Sequence, residues 1–388
     1  MTSNKEASVK RLFALACLVV PGLMAAPAGA DVTVGITISA TGPAAALGGP
    51  QKNTAQLLPA EIAGQKIKYV VLDDATDPTA ATRNAKKLTG EDQVDIIFGS
   101  TTTANSLAVL NVAAETGTAM VSLAPYNVPA DKQMWAFQTP QSNNLMAAVV
   151  VDHMKAGGVR TVGYIGFSDP FGESWFNAFK PLAEAAGFNL VASERYNRTD
   201  TSVTAQILKI ASLNPDAVMI GASGTPGMLP HLALVERAYK GKIYHTHGVA
   251  NKAVLALGGA KLDGAYVPMG PGMVAELLPD SHPSKKPALE YAGLYEKAHG
   301  PDSRTTFGAH LWDAMLLLRA ALPEALKAAT PGTPAFRRAL RDALEKSKEV
   351  AATQGVFTYT PTDHVGLDQR ARVLTRVEKS NWKLQSGG

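Results

Sequence analysis

Val94-Asp-Ile-Ile-Phe98 is followed by the hydroxyl-rich turn Gly99-Ser-Thr-Thr-Thr103, the helical pattern Ala104 to Ala114 and a second apolar run, Ala119 to Leu123. Both runs are too short and too apolar for a half-exposed strand, so each reads as a strand covered on both faces, with a helix crossing between them. That βαβ reading extends outward in both directions. Upstream, Val32 to Ile38 precedes Gln51 to Leu58, and Lys68 to Leu72 precedes Ala80 to Leu88, again strand then helix. Downstream, a second series runs Leu145 to Ala156 (helix), Thr161 to Ile165 (strand), Trp175 to Ala186 (helix) and Asn189 to Tyr196 (strand). It continues through Val203 to Leu213, Ala217 to Ile220, Leu229 to Ala238 and Ile243 to Thr246. The pattern predicts an α/β fold of two doubly wound, Rossmann-like lobes in tandem.

Gln138-Thr-Pro-Gln-Ser-Asn143 breaks the apolar periodicity between the two series, and Val267-Pro-Met-Gly-Pro-Gly272 breaks it again. The helical pair Pro287 to His299 and Phe307 to Leu322 then completes the first unit, and Thr353-Gln-Gly355 is read as a third crossing. A three-segment hinge follows, with residues 31–141 and 272–352 in the N-terminal lobe and 142–271 and 353–388 in the C-terminal lobe. Such a pair of lobes closes on a ligand at the carboxyl ends of its strands. Pro323 to Lys348 and the charged tail near Lys379 read as solvated helix and strand faces.

The first thirty residues read as an export signal. Lys10 and Arg11 supply a basic start, Leu12 to Val20 an apolar stretch too short to span a bilayer, and Ala28-Gly-Ala30 a small-residue cleavage site before Asp31. Cleavage after Ala30 places the mature chain in the periplasm. Lipid attachment at Cys17 is the alternative, against which only Leu12 to Ala16 separate that cysteine from Arg11. The mature chain would hold no disulfide and must rely on its buried cores. Removing residues 1–30 takes away three basic residues and one acid and lowers the formal net charge from +4 to +2. That balance implies neither nucleic acid nor an acidic membrane as partner. No later apolar run argues a membrane span, so a membrane role must come through a partner protein.

Catalysis has no carrier in this sequence. No Gly-x-Ser-x-Gly elbow occurs, no cysteine nucleophile survives maturation, and Asp73-Asp74 with Asp77-Pro78 read as turn and helix-cap residues. His245-Thr-His247 ends a strand with both rings expected on one face, but His231 is the only third ligand in view, so no metal is expected. Gly221-Ala-Ser-Gly224-Thr-Pro-Gly227 has the spacing of neither nucleotide fingerprint and reads as a ligand-facing strand-to-helix turn. Gly99 to Thr103 is more informative, because free N–H groups and hydroxyls at a helix start favour a carboxylate, and capping alone needs one hydroxyl, not four. Ser122-Leu-Ala124-Pro-Tyr126 ends a strand facing the same crevice.

Taken in order, these segments resemble the type I periplasmic substrate-binding proteins of ATP-driven transporters, in their leucine/isoleucine/valine-binding branch. The resemblance rests on Val34-Gly35, Thr41-Gly-Pro43, Leu47-Gly48, Leu72-Asp-Asp74, Asp77-Pro78, Ala85-Lys-Lys-Leu88, Val94 to Gly99, Thr116-Gly117, Val121-Ser122, Asp169-Pro-Phe-Gly172, Asp216-Ala-Val218 and Trp312-Asp-Ala314. It implies a hinged receptor for a small molecule that works with a membrane permease, carries no cofactor and is expected to be a monomer. In the amino-acid binders a serine at the place of Thr103, beside Thr102, and a backbone group at Ala124 hold the ligand carboxylate. Phe171 falls where an aromatic of the second lobe covers the ligand, and Tyr126 where a threonine is usual. His247 stands where those proteins carry the glutamate that pairs with the ligand ammonium, while Leu47, Ser223 and Gly224 replace tyrosines. A buried ammonium without a carboxylate partner would be costly, so the resemblance implies an organic acid, of benzoate or hydroxycinnamate type, between Phe171 and Tyr126 with His247 donating to a distal oxygen. The alternatives are a branched-chain or other amino acid met by an acid such as Glu173, a ligand sensor without transport, and an enzyme of the same fold.

Overall fold

A computed structural model describes residues 30–385. Residues 1–29, which carry the expected leader and Cys17, lie outside the described residues. The first unit contains β1 (Val32–Ile38), α1 (Ala45–Ala55), β2 (Glu61–Ile62), β3 (Gln65–Asp73), α2 (Pro78–Gly90), β4 (Ile96–Gly99), α3 (Thr103–Thr116), β5 (Ala119–Ser122) and β6 (Ala136–Gln138). The second contains α4 (Asn143–Ala156), β7 (Thr161–Phe167), α5 (Pro170–Ala185), β8 (Asn189–Tyr196), α6 (Thr204–Ser212), β9 (Ala217–Gly221), α7 (Met228–Glu236), β10 (Lys242–His245), α8 (Lys252–Gly258) and β11 (Tyr266–Met269). The chain then returns through α9 (Lys285–His299), α10 (Thr306–Ala328), α11 (Pro334–Glu345), β12 (Val350–Ala351) and β13 (Val356–Phe357), and ends with β14 (Val373–Glu378) and β15 (Asn381–Leu384).

The sheets run β2-β3-β1-β4-β5-β6 and β15-β14-β11-β10-β9-β7-β8. In the first, β1 pairs in parallel with β3 on one side and β4 on the other, so winding reverses between β1 and β4. In the second, β7 has the same relation to β8 and β9. These are the points where an open α/β sheet leaves a crevice at its carboxyl edge. Local sequence fixes the helices that start there. Thr102 caps α3 through its hydroxyl, Asp169 caps α5 with Pro170 in the first turn, and Gly117 ends α3 in the left-handed conformation at φ 62°.

The first core packs Val34, Ile36, Ile96 and Phe98 of the sheet against Leu311, Met315 and Leu322 of α10 and against Phe336 and Leu340 of α11. α11 is therefore a core helix where a solvated face was expected. Its strong amphipathicity, with Arg337, Arg338 and Arg341 alternating with buried Phe336, Leu340 and Leu344, is the sequence sign of that role. The second core gathers Ile165, Phe167, Met219 and Ile220 around Trp175 and Phe179 of α5. Each lobe also holds a second apolar cluster, around Val109 and Met120 in the first and around Val254 and Val267 in the second, as a chain without disulfides requires.

The chain leaves the first unit between β6 and α4 and leaves the second after β11. It passes back to the second sheet well after Gly355. Phe357, Tyr359 and Leu367 still pack in the first core, and the chain rejoins the second sheet only at Val373. Met273, Val274 and Leu278 likewise still pack with Val267 and Val373 in a separate apolar cluster of the second lobe before α9 returns to the first core. Gln141 joins the crossing strands by donating from Nε2 to Gln354 O at 3.0 Å and Ala371 O at 2.9 Å. A Cβ on Gly270 would meet the side chains of both Gln354 and Gln141, so only glycine lets the strands approach this closely.

One buried carboxylate organises the first switch point. Asp74 accepts from Ser39 Oγ at 2.6 Å and Asn105 Nδ2 at 2.7 Å, and Ser100 Oγ donates to its other oxygen. Asp74→Ala strands these three buried donors and is expected to cost about 3 kcal/mol or more, with Asp74→Asn intermediate. A urea unfolding series read by circular dichroism checks this through a lowered midpoint at unchanged slope.

Candidate functional site

The two switch points face each other across a narrow cavity. The first lobe contributes Leu47 from α1, Thr102 and Thr103 from the start of α3, Leu123 to Pro125 after β5, and Phe307 and His310 from the start of α10. The second contributes Phe171 from the start of α5, Arg198 after β8, Ser223 after β9, and His247 with Gly248 after β10. Among the described residues no aspartate or glutamate lines this cavity.

Of the residues singled out from sequence, Leu47, Thr102, Thr103, Ala124, Phe171, Ser223 and His247 come together here. Gly224 lies at the edge, with φ +64°, where an added Cβ would sit 2.6 Å from Leu47 Cδ1 of the opposite lobe. Tyr126 does not join them. It packs in the α2–α3 core with Val109 and Met120, and its buried hydroxyl has no hydrogen-bond partner. Its side chain turns away because Gln138 clamps its backbone from both sides, Oε1 accepting from Tyr126 N at 3.1 Å and Nε2 donating to Tyr126 O at 3.0 Å. The flat wall expected from Tyr126 is instead supplied by Phe307.

The hydroxyl run is also more structural than expected. Ser100 holds Asp74, Thr101 Oγ1 donates to Gln51 Oε1, Thr102 Oγ1 caps Asn105 N, and Thr103 Oγ1 donates to Pro125 O at 2.8 Å. Ala124 N is taken by Ser122 Oγ at 3.2 Å. The anion-favouring character of this end therefore rests on the first-turn N–H groups of α3 and on the Thr102 hydroxyl, which accepts from Asn105 N and keeps its own proton to donate.

Arg198 and His310 were not evident from the sequence. Among the described residues Arg198 is the one cation on the cavity wall. Its Nε and Nη2 both donate to Asp169 Oδ2, at 3.1 and 2.6 Å, its Nη1 donates to Ser223 Oγ at 2.9 Å, and its guanidinium lies 4.1 Å over the Phe167 ring. A basic residue just past a strand's carboxyl end is the sequence signal that marks it. His310 lies in α10, a helix buried on nearly every side, and a lone histidine in so apolar a pattern is its signal.

Both cavity histidines are neutral. Burial lowers His247 to about 4, and burial together with His247 lowers His310 to about 3. Each leaves Nδ1 buried without a partner. His247 is ringed by Phe171 and Trp175, at centroid distances of 6.2 and 5.7 Å. His245, expected on the same face as His247, instead turns into the second lobe, where its Nε2 meets His231 Nδ1 at 3.1 Å and His231 Nε2 meets Lys261 O at 2.8 Å. The strand ends at His245 and the following turn sends His247 elsewhere, which separates the pair. Among the described residues no cluster of three or more His, Cys, Asp or Glu is placed to hold a metal.

Residues 31–381 match the family model described as periplasmic binding protein. The chain belongs to the periplasmic binding protein family. Its members are solute-binding proteins and not enzymes, they are periplasmic, and they serve ABC transporters. The Leu/Ile/Val-binding protein BraC3 of Rhizobium johnstonii is 26% identical over 90% of this chain and 93% of its own. An extracellular ligand-binding receptor from Rhodopseudomonas palustris HaA2 is 45% identical, with a TM-score of 0.91 over 92% of this chain and 100% of its own. An ABC transporter solute-binding protein from R. palustris, solved in complex with benzoate, shares the fold at a TM-score of 0.75 and 20% identity over 92% of this chain and 95% of its own. The periplasmic binding protein fold agrees with the two-lobed α/β architecture read from the sequence, and no described helix is long and apolar enough to cross a membrane.

Two substitutions separate the wall from the core. Phe171→Ala removes an aromatic face from the cavity and is expected to weaken ligand binding by about 1–3 kcal/mol, whereas Tyr126→Phe removes a hydroxyl that bonds to nothing and leaves affinity within twofold. Calorimetric titration of both variants checks this, and equal losses would put Tyr126 back on the wall.

Proposed function

We propose that this family member is the receptor of an ABC importer for a small organic carboxylate, an aromatic acid of benzoate or hydroxycinnamate type, bound between the lobes. The observation that carries the reading is the charge of the cavity wall. An α-amino acid brings an ammonium that needs a buried carboxylate, and the wall offers one guanidinium, two neutral imidazoles and no acid. Glu173, the acid considered as a substitute partner, pairs with Arg195 and does not line the cavity. Phe171 and Phe307 give an aromatic ring flat apolar faces, while the start of α3 and Arg198 favour a carboxylate. The benzoate complex of the R. palustris protein shows that this fold accommodates such an acid, in a chain only 20% identical. The residues at 1–30 supply the export that this role needs, and the receptor acts as a monomer that hands its ligand to a membrane permease.

The names of curated relatives support a second reading, a branched-chain amino acid as ligand. A thermal-shift panel on the mature chain decides between them. Benzoate or 4-hydroxycinnamate at about a hundredfold excess over Kd is expected to add about 2.7 kcal/mol and raise Tm by a few degrees, with leucine and isoleucine inert. A shift with leucine or isoleucine and none with the aromatic acids would reverse the assignment.

A further inference from the structure

His310 is fixed to the first lobe and His247 to the second, yet both line the same cavity. Thr306 Oγ1 lies 3.3 Å from Gln354 Oε1 and 3.4 Å from His310 Nε2, so one ring nitrogen of His310 has a neutral hydroxyl neighbour while its Nδ1 is buried without a partner. His247 Nδ1 is likewise buried and unpartnered. Nothing facing the pair repays a charge. The groups around His247 are Phe171, Trp175, Ser223 and Arg198, and the carboxylate of Asp169 is already engaged by that guanidinium. On α10 the nearest acid is Asp313, whose oxygens accept from Thr353 N and Gln354 N and whose own pKa burial pushes up to about 7. His231 and His245 pair inside the second lobe, away from the cavity wall, and closure leaves them where they are.

We propose that His310 and His247 form a two-lobe reader that lets the cavity close on its ligand only when both imidazoles are uncharged, so that they select an uncharged ligand group at their end and couple binding to proton release. The coupling follows from closure. With the lobes apart, water reaches both rings and each titrates near its ordinary value of about 6.5. With the lobes together, both are buried beside each other and beside a guanidinium, and neither keeps a proton. The closed state is thus fully favoured above pH 6.5 and loses ground as pH falls from there toward 4. This inference rests on the aromatic-acid reading for its probe and on the two histidines for its mechanism.

The test is calorimetric Kd for 4-hydroxycinnamate at pH 7.5 and 5.5, where the acid stays ionised, with circular dichroism confirming the fold at both. Each histidine is expected to raise Kd by ~10-fold over that interval, so the wild-type chain weakens by ~100-fold, His310→Gln or His247→Gln by ~10-fold, and the double variant hardly at all. A Kd that is constant or falls on acidification overturns the proposal, as does either single variant keeping the full wild-type dependence. If no aromatic acid binds at pH 7.5, the functional reading above fails instead. The reader is then judged on the ligand-free chain by NMR titration of the two rings, assigned through the same variants, alongside solution scattering. Rings that titrate below pH 5 at the closed radius, or near 6.5 at an open one, support it, and titration near 6.5 at the closed radius, or below pH 5 at an open one, overturns it.

Discussion

A strand cannot hydrogen-bond in parallel to its sequence neighbour without a crossover, and crossovers that leave on opposite sides of a sheet pull the following loops apart. That constraint makes the site. It opens a crevice between β1 and β4 in one lobe and between β7 and β9 in the other, and the cavity-lining residues of each lobe sit on the loops and helix starts that emerge there. Asp74 matters because it ties the loops after β1 and β4 to α3 from below, leaving the helix start fixed toward the ligand. Gly48 serves the same end, since a Cβ there would strike Ser39 O at 1.9 Å and push α1, with Leu47, off the cavity.

Electrostatics then narrows what the cavity accepts. In a site closed from water, a charge without a partner is expensive, and each polar group on the wall has been matched or neutralised. Arg198 is held by Asp169 and Ser223, the α3 hydroxyls are bonded locally, and the imidazoles give up their protons. Among the described residues no acid on this wall is left to meet an ammonium.

The periodic part of this structure was legible in the sequence because strand and helix periods are local properties. β8 and β9 begin where the apolar runs begin. What stayed hidden was every feature set by partners far apart in the chain. Four hydroxyls in a row suggested a ligand because Asp74, Gln51 and Pro125, which use them, lie up to 50 residues away. Tyr126 looked like a wall because nothing local reveals the clamp by Gln138. Thr353 to Gly355 reads locally as a crossing, and Gln354 does meet Gln141 there, whereas Phe357 and Tyr359 belong to a core assembled mostly from the first hundred residues and α10. Arg198 and His310 escaped notice for the same reason, each being ordinary in its own segment.

The contacts of the cavity divide by whether they exist before closure. Arg198 is positioned entirely within the second lobe, by Asp169, Ser223 and the Phe167 ring, so its donors are in place when the ligand arrives. Thr102 and Thr103 are likewise fixed within the first lobe. The approach of Leu47 to Gly224, and of His310 to His247, exists only with the lobes together. Recognition of the ligand's charged end therefore needs no rearrangement, and the free energy of closing is left to apolar contact and to two imidazoles whose protonation the solvent controls. On the proposed reading, a receptor built this way would meet an acid in two stages, first by a preformed polar surface on one lobe and then by exclusion of water, and the second stage is the one that pH would reach.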